Sequence, residues 1–325
     1  MTVHFAILRP GRYRSLDRGR YCGDRFSITL ETGIRKGISM LAIVGLLVVI
    51  GSMIGGFTIA GGQLPALFHI SEIIVIFGIA LGTVLISTPA PVLRSTFGKV
   101  FMIVRPSPFG RKLYLEALRM LYELFQVARR DGLVAIEAHI EAPEKSTIFK
   151  KFPAVLHQHH AITFLCDSLR LVLVGSVPPH DLEALMDSEI DVHHEAEAKP
   201  AGVLQKVGDA LPGIGIVAAV LGIVVTMGAI AGPIEQIGEH VAAALTGTFL
   251  GVFMAYGFMG PLSSGIEHVN ASETRFYHFI KASVIAFAKG FSPIVAVEFA
   301  RRAIYADERP TFAEMETACK NSKGK

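Results

Sequence analysis

Four windows of this chain, Met40 to Ala60, Ser71 to Thr88, Asp209 to Ile230 and His240 to Pro261, are long, apolar and nearly free of charge. Each approaches the roughly 20 residues that a helix needs to cross a bilayer. Few folds can accommodate four such stretches in 325 residues, and an all-α integral membrane protein accommodates them directly. The composition agrees: 51% of positions are hydrophobic, 18% are charged, and the mean hydropathy is +0.48, a balance foreign to ordinary soluble domains. The charge is segregated, so a lipid-embedded part and a sizeable aqueous part are both expected.

The segments GGQLPALFHI and AGPIEQIGEH, which join the windows in pairs, are short, rich in turn formers and without Lys or Arg. Basic residues gather on the other flanks, at Arg35 and Lys36, Arg94, Lys99 and Arg105, Lys199 and Lys206, and Arg275 and Lys281. The positive-inside rule then places both termini in the cytoplasm, together with the segment between the two hairpins. The short connectors face the periplasm. The expected organisation is a basic cytoplasmic extension over 1–39, transmembrane hairpins over 40–89 and 208–261, a cytoplasmic helical insert over 90–207, and a helical tail over 262–325. A second reading of the extension is that translation begins at Met40. No signal-peptide core precedes that residue.

Within the insert, Tyr114, Leu118, Leu121, Phe125 and Ala128 recur at helical spacing from Arg111 to Arg130, and Asp131-Gly132 reads as the stop. A second helix is expected over Leu133–Glu141, a third over Ala154–Val174, and a fourth from Asp181 into an acidic stretch. Cys22, Cys166 and Cys319 lie far apart without CxxC spacing and imply neither disulfide nor thiolate metal site. The histidines of HQHH and the pair His193-His194 give no one-face set with a third ligand. Phosphate-cradling glycine patterns are absent, so no cofactor, metal or enzymatic activity is expected. A net charge of +3, with no basic face, argues against nucleic acid.

The span cores lack Asp, Glu, Lys and Arg; Glu72, Asp209, Glu235 and Glu239 are read as lying at helix ends, near the interface. Since ion-coupled membrane proteins carry an ionisable group at depth, a partner chain is expected to supply it. The third and fourth spans are instead crowded with Gly and Ala, which suits close assembly of several subunits around a central helix. Thr226, Thr246 and Thr248 could meet an ion there or simply bond back to their own helices, with Thr248 the best placed to line a path. Pro212 follows Asp209 in a helix-start pattern. Pro261 deprives the carbonyl of Gly257 of its usual donor, which favours a hinge.

Four stretches, LPGIGIVAAVLGIV, DLEALMDSEI, ALTGTFLGVFMAYGFMGPLSS and SPIVAVEFARRAIYADERPTF, are similar to the corresponding stretches of the MotA family of flagellar stator subunits. The resemblance runs from about Met40 to Phe312. It implies a proton channel made with MotB, whose transmembrane aspartate takes the proton. It further implies a ring of five copies around two MotB helices, torque on the rotor protein FliG, and residence in the bacterial inner membrane. By position in VARRDGLVAIEAHIEAP, Arg129 and Glu137 match the rotor-contacting residues, with Arg130, Glu183 and Asp187 as possible extensions of that surface. Pro212 and Pro261 match the conformational prolines. Thr248, Ala219 and Tyr256 are the expected lining of the ion path. ExbB- and TolQ-like transducers, with three spans, are the nearest alternative, a sodium-driven stator the next, and a scaffold with no ion path the third.

Overall fold

The structure, a computed structural model, describes residues 27–103 and 107–321. Residues 1–26 of the basic extension, including Cys22, lie outside the described part, as does Arg105. Among the described residues every regular element is helical, and four helices are long and apolar enough to cross a membrane.

Helix α1 (Ser27–Ile59) begins well before Met40, so the end of the expected extension continues into the first span. Its spanning part is apolar on all sides, and Leu41, Val44, Leu47 and Val48 remain exposed, as a lipid-facing helix requires. The helix ends where Gly61 takes a φ of +84°. Gly62 N–H then donates to Phe57 O at 2.9 Å and Gly61 N–H to Thr58 O at 3.0 Å, which satisfies the last carbonyls. A short 3-10 turn leads into α2 (Ile70–Ser87), which buries Glu72, Ile76 and Ala80, one face at four-residue spacing.

Helix α3 (Ala90–Ile103) turns away at the end of α2. The amphipathic α4 (Arg111–Asp131) stops at Gly132, whose φ is +93°. The second helix expected in the insert is instead a 3-10 turn, Leu133–Ile136, followed by the short α5 (Glu137–Glu141). The third is broken near His157 into α6 (Pro153–Leu156) and α7 (His159–Val174).

Two long rods dominate the molecule. Helix α8 runs unbroken for 50 residues, Pro179–Gly228, through both Pro200 and Pro212, a length of about 75 Å at 1.5 Å per residue. The acidic fourth helix of the insert and the third span are therefore one element. The second rod is α9 (Ile234–Met254), a π-helical turn (Ala255–Met259) and α10 (Gly260–Ala288) in continuous succession.

The largest hydrophobic core among the described residues forms where α4 and α7 close on the far halves of these rods. Phe125 stacks on Phe287 at 4.4 Å, Tyr114 meets Phe279 edge-on at 5.3 Å, and Leu182, Met186 and Ile190 of α8 complete the cluster. Helix α11 (Pro293–Arg302) packs on α4. The tail helix α12 (Phe312–Asn321) starts with a reciprocal cap, in which Thr311 N–H donates to Glu314 Oε2 at 2.7 Å and Glu314 N–H donates to Thr311 Oγ1 at 3.3 Å. Arg111 then ties Glu314 to the start of α4 at 2.6 Å.

Candidate functional site

Glycine dictates how closely α8 and α9 approach. A Cβ on Gly215 would lie 2.9 Å from Gly247 O, and one on Gly251 would lie 2.6 Å from Leu211 O. One on Gly222 would meet Ala244 Cβ at 2.8 Å. These contacts run antiparallel along one seam, with backbone against backbone. The small residues expected to serve assembly between subunits are thus divided: Gly215, Gly222, Gly247, Gly251, Ala218 and Ala244 are consumed within the chain's own hairpin, while Gly213 has nothing within 4 Å of its Cβ position. The outward face of α8 carries exposed Ile216, Val217, Val220, Leu221 and Val224.

The two prolines occupy neighbouring levels of this seam. Pro212 does not begin a helix, contrary to the pattern around Asp209; it sits inside α8, where it cannot donate to the carbonyl of Gly208. Gly208 faces the π-helical turn, its Cβ position 3.2 Å from Met259 Cβ and 3.9 Å from Ala255 O. In that turn Gly260 N–H donates to Ala255 O, five residues back, just before Pro261. Proline and the π-helical turn are two of the few recognised causes of helix discontinuity, and here the two rods carry theirs side by side.

Two of the three threonines bond back to their own helices. Thr226 donates to Gly222 O at 2.8 Å and Thr246 to Ala242 O at 2.9 Å. Thr248 and Ala219 are half-buried and Tyr256 is 74% exposed in the single chain. Neither Thr248 nor Tyr256 makes a side-chain hydrogen bond among the described residues.

Glu72 lies at a helix end, as expected, but it is buried there. Although it belongs to the first turn of α2, that turn is packed against Ala218 and Gly247, the carboxyl Oε2 lying 2.8 Å from the Cβ position of Gly247. Ala218 precedes the end of α8 at Gly228 by ten residues, about 15 Å along the axis. It follows Lys206 by twelve, about 18 Å. Lys206 itself lines a small cleft with Ser87 and Thr88 at the other end of α2. Glu72 therefore packs inside the apolar part of the α8–α9 hairpin, between its turn and the level of Lys206. The α1–α2 connector sits correspondingly low, and Ala66 O comes within 3.4 Å of Thr246 Oγ1.

Beyond the apolar region, Lys99 of α3, Glu197 of α8 and Asn270 of α10 form a polar clamp. Lys99 Nζ donates to Asn270 Oδ1 at 2.8 Å and pairs with the Glu197 carboxylate, while Asn270 Nδ2 donates to Glu197 O at 2.6 Å. One turn away His193 Nε2 faces Glu273 Oε1 at 3.3 Å. That carboxylate raises the imidazole pKa above its ordinary value, against the opposing effect of burial. Among the described residues, no three His, Cys, Asp or Glu side chains gather as metal ligands would. Burial pushes the thiols of Cys166 and Cys319 up to about 12, so both are unreactive.

At the tip of the aqueous region, Arg129, Arg130 and Glu137 are all exposed near the α4–α5 junction. Arg130 is held by the neighbouring Asp131 at 2.7 and 2.8 Å. Arg129 and Glu137 make no ion pair among the described residues; Arg129 lines an open cleft of about 530 Å³ with Leu133, Pro178, Pro179 and Leu182. Glu183 and Asp187 do not present free charge, because Lys289 reaches Glu183 at 3.2 Å and Lys281 reaches Asp187 at 2.6 Å. The sequence offered no signal for these cross-rod pairs.

A model of the motility protein A N-terminal region matches residues 43–132, and a model of the MotA/TolQ/ExbB proton channel family matches residues 156–277. Motility protein A of Salmonella typhimurium is 36% identical over 277 residues, which cover 85% of this chain and 94% of that protein. The chain belongs to the motility protein A family. Chemotaxis protein LafT of Vibrio parahaemolyticus is 37% identical over 278 residues, covering 85% of this chain and 97% of that one. The fold agrees with the flagellar MotAB stator complex from Bacillus subtilis, with a TM-score of 0.67 at 20% identity over 83% of this chain and 98% of that one. Membership of the motility protein A family makes this a multi-pass membrane protein of a proton-channel family, which is not an enzyme class.

Proposed function

We propose that this chain is the ion-conducting subunit of a flagellar motor stator, and that it couples inward proton flow to torque. The observation that carries the reading is the pair of uninterrupted rods. They join a glycine-packed membrane hairpin, with its interior proline and π-helical turn, to an aqueous tip that presents Arg129 and Glu137. A device that converts ion passage into a push on another protein needs both ends and a rigid link between them.

The partners follow from the same reading. MotB supplies the transmembrane carboxylate, FliG is the rotor protein addressed by Arg129 and Glu137, and five copies ring two MotB helices in the bacterial inner membrane with both termini cytoplasmic. The apolar outward face of α8 is available for such packing, with Ala219, Thr248 and Tyr256 as candidate lining. Arg130, neutralised by Asp131, has the weaker claim to rotor contact, and Glu183 and Asp187 serve the rods. Protonation of the partner's acid removes a charge from the pore and lets the layer around Pro212 and Pro261 shift. One proton crossing 100 mV supplies about 2.3 kcal/mol toward that step.

Charge reversal tests the reading. Arg129→Glu or Glu137→Lys is expected to cut rotation speed severely in cells that express the chain with its partner, while stability changes by no more than about 0.5 kcal/mol, as for exposed positions generally. Wild-type rotation with both residues reversed refutes the rotor assignment. Proton influx on co-expression, lost when either chain is omitted, tests conduction separately.

A further inference from the structure

Most buried polar side chains in the spans are accounted for by their own helices, but one is not. Glu72 is 6% exposed, and its Oε2 has no hydrogen-bond partner among the described residues. We propose that Glu72 is a proton-binding site carried by this chain itself, seated between α2 and the apolar part of the α8–α9 hairpin. Its part in conduction rests on the reading above; its binding of a proton does not.

The seat is built by absence of side chain. At Gly247 a Cβ would stand 2.8 Å from Glu72 Oε2 and 3.2 Å from Ala218 Cβ, so the carboxyl occupies volume that only glycine leaves open. Ile76 and Ala80 continue the same buried face of α2 against Leu211, Ile214 and Ala218. The acid is therefore part of a packed stripe and is not a stray side chain at a helix end.

The groups facing it explain why the ligand is a proton. From α8 comes Ala218, and the sequence from Ala210 to Gly228 contains no titratable residue. From α9 come Gly247 and Thr246, whose hydroxyl is already given to Ala242 O; Glu239 and His240 lie about two turns nearer the start of α9. The spanning part of α1, Leu41 to Ile59, has no titratable residue either. On the α1–α2 connector His69, three residues before Glu72, has a buried Nδ1 that also lacks a partner.

Among the described residues the Glu72 carboxylate makes no ion pair with Lys or Arg. A lone carboxyl in such surroundings is kept for function, and the change open to it is to gain or lose a proton. The O–H bond forms with a proton that arrives from water along the connector, past His69, and breaks when that proton is returned. The two states differ by one charge against Gly247, so occupancy is coupled to how tightly α2 closes on the hairpin.

Infrared difference spectroscopy on the purified chain in lipid nanodiscs, with the pH stepped across the neutral range, tests this without any partner. A carboxylic C=O band that appears on acidification is expected in the wild type. It should be lost in Glu72→Gln and return at an altered position in Glu72→Asp. Gly247→Ala, which expels the carboxyl from its seat, should move the band toward that of a solvated acid. An identical band in Glu72→Gln, or one that answers to sodium at constant pH, overturns the proposal. In the complex with the partner, Glu72→Gln is expected to lower proton influx several-fold and flatten its pH dependence. No influx in the wild-type complex would sink the conduction reading and leave the infrared result standing.

Discussion

Gly251 has no room for a methyl group, since its Cβ position is 2.6 Å from the backbone oxygen of Leu211 and 2.9 Å from Gly215 Cα. Gly251→Ala must push two backbones apart and is expected to cost about 1–3 kcal/mol, measured as lowered thermal stability in detergent. Gly213→Ala, with open space around it, is the matched control and should change stability by less than about 0.5 kcal/mol. His193 provides a pH-dependent counterpart. Its pKa is raised chiefly by the hydrogen bond to Glu273, so the stability it contributes is fully present below the unfolded histidine value of about 6.5 and is lost as the pH rises through the higher folded value. The melting temperature of the wild type should therefore fall more steeply above that point than that of His193→Gln. At this scale the sequence was legible where chemistry is local: the stop at Gly132 follows from residue type, while the threonines stood open between two readings until Thr226 and Thr246 were found bonded to their own helices. Glu72 was legible as a helix-end residue but not as a buried one, because its burial depends on how far α2 is staggered along α8 and α9, and no local pattern encodes stagger.

The elements were legible as far as apolar runs and periodicity define them, but not where one helix continues into the next. Pro212 after Asp209 has the look of a helix start. It became an interior residue because the seam with α9 holds α8 together on both sides of it, and tertiary packing outweighs one missing hydrogen bond. The break at His157 and the 3-10 turn before α5 were likewise hidden, because short helical fragments depend on what they pack against. Pro212→Ala and Pro261→Ala restore the missing backbone donors and are expected to leave membrane assembly and melting temperature unreduced while rotation stops. Undiminished torque in the double variant counts decisively against a conformational role for this layer.

For the whole molecule, the segregation of charge announced a membrane part and an aqueous part, and the resemblance of the spans to one family gave the overall architecture. What neither announced is that the two parts share their long helices. From Pro212 to Leu182, which is buried in the aqueous core, α8 runs 30 residues without interruption, about 45 Å. A rod of that length is a lever: a tilt of about 5° at the proline layer sweeps its far end through about 4 Å, the breadth of a side chain. Under the proposed stator function, an event no larger than the arrival of one proton would in this way carry a surface arginine from one contact to the next, with the fold itself as the gearing.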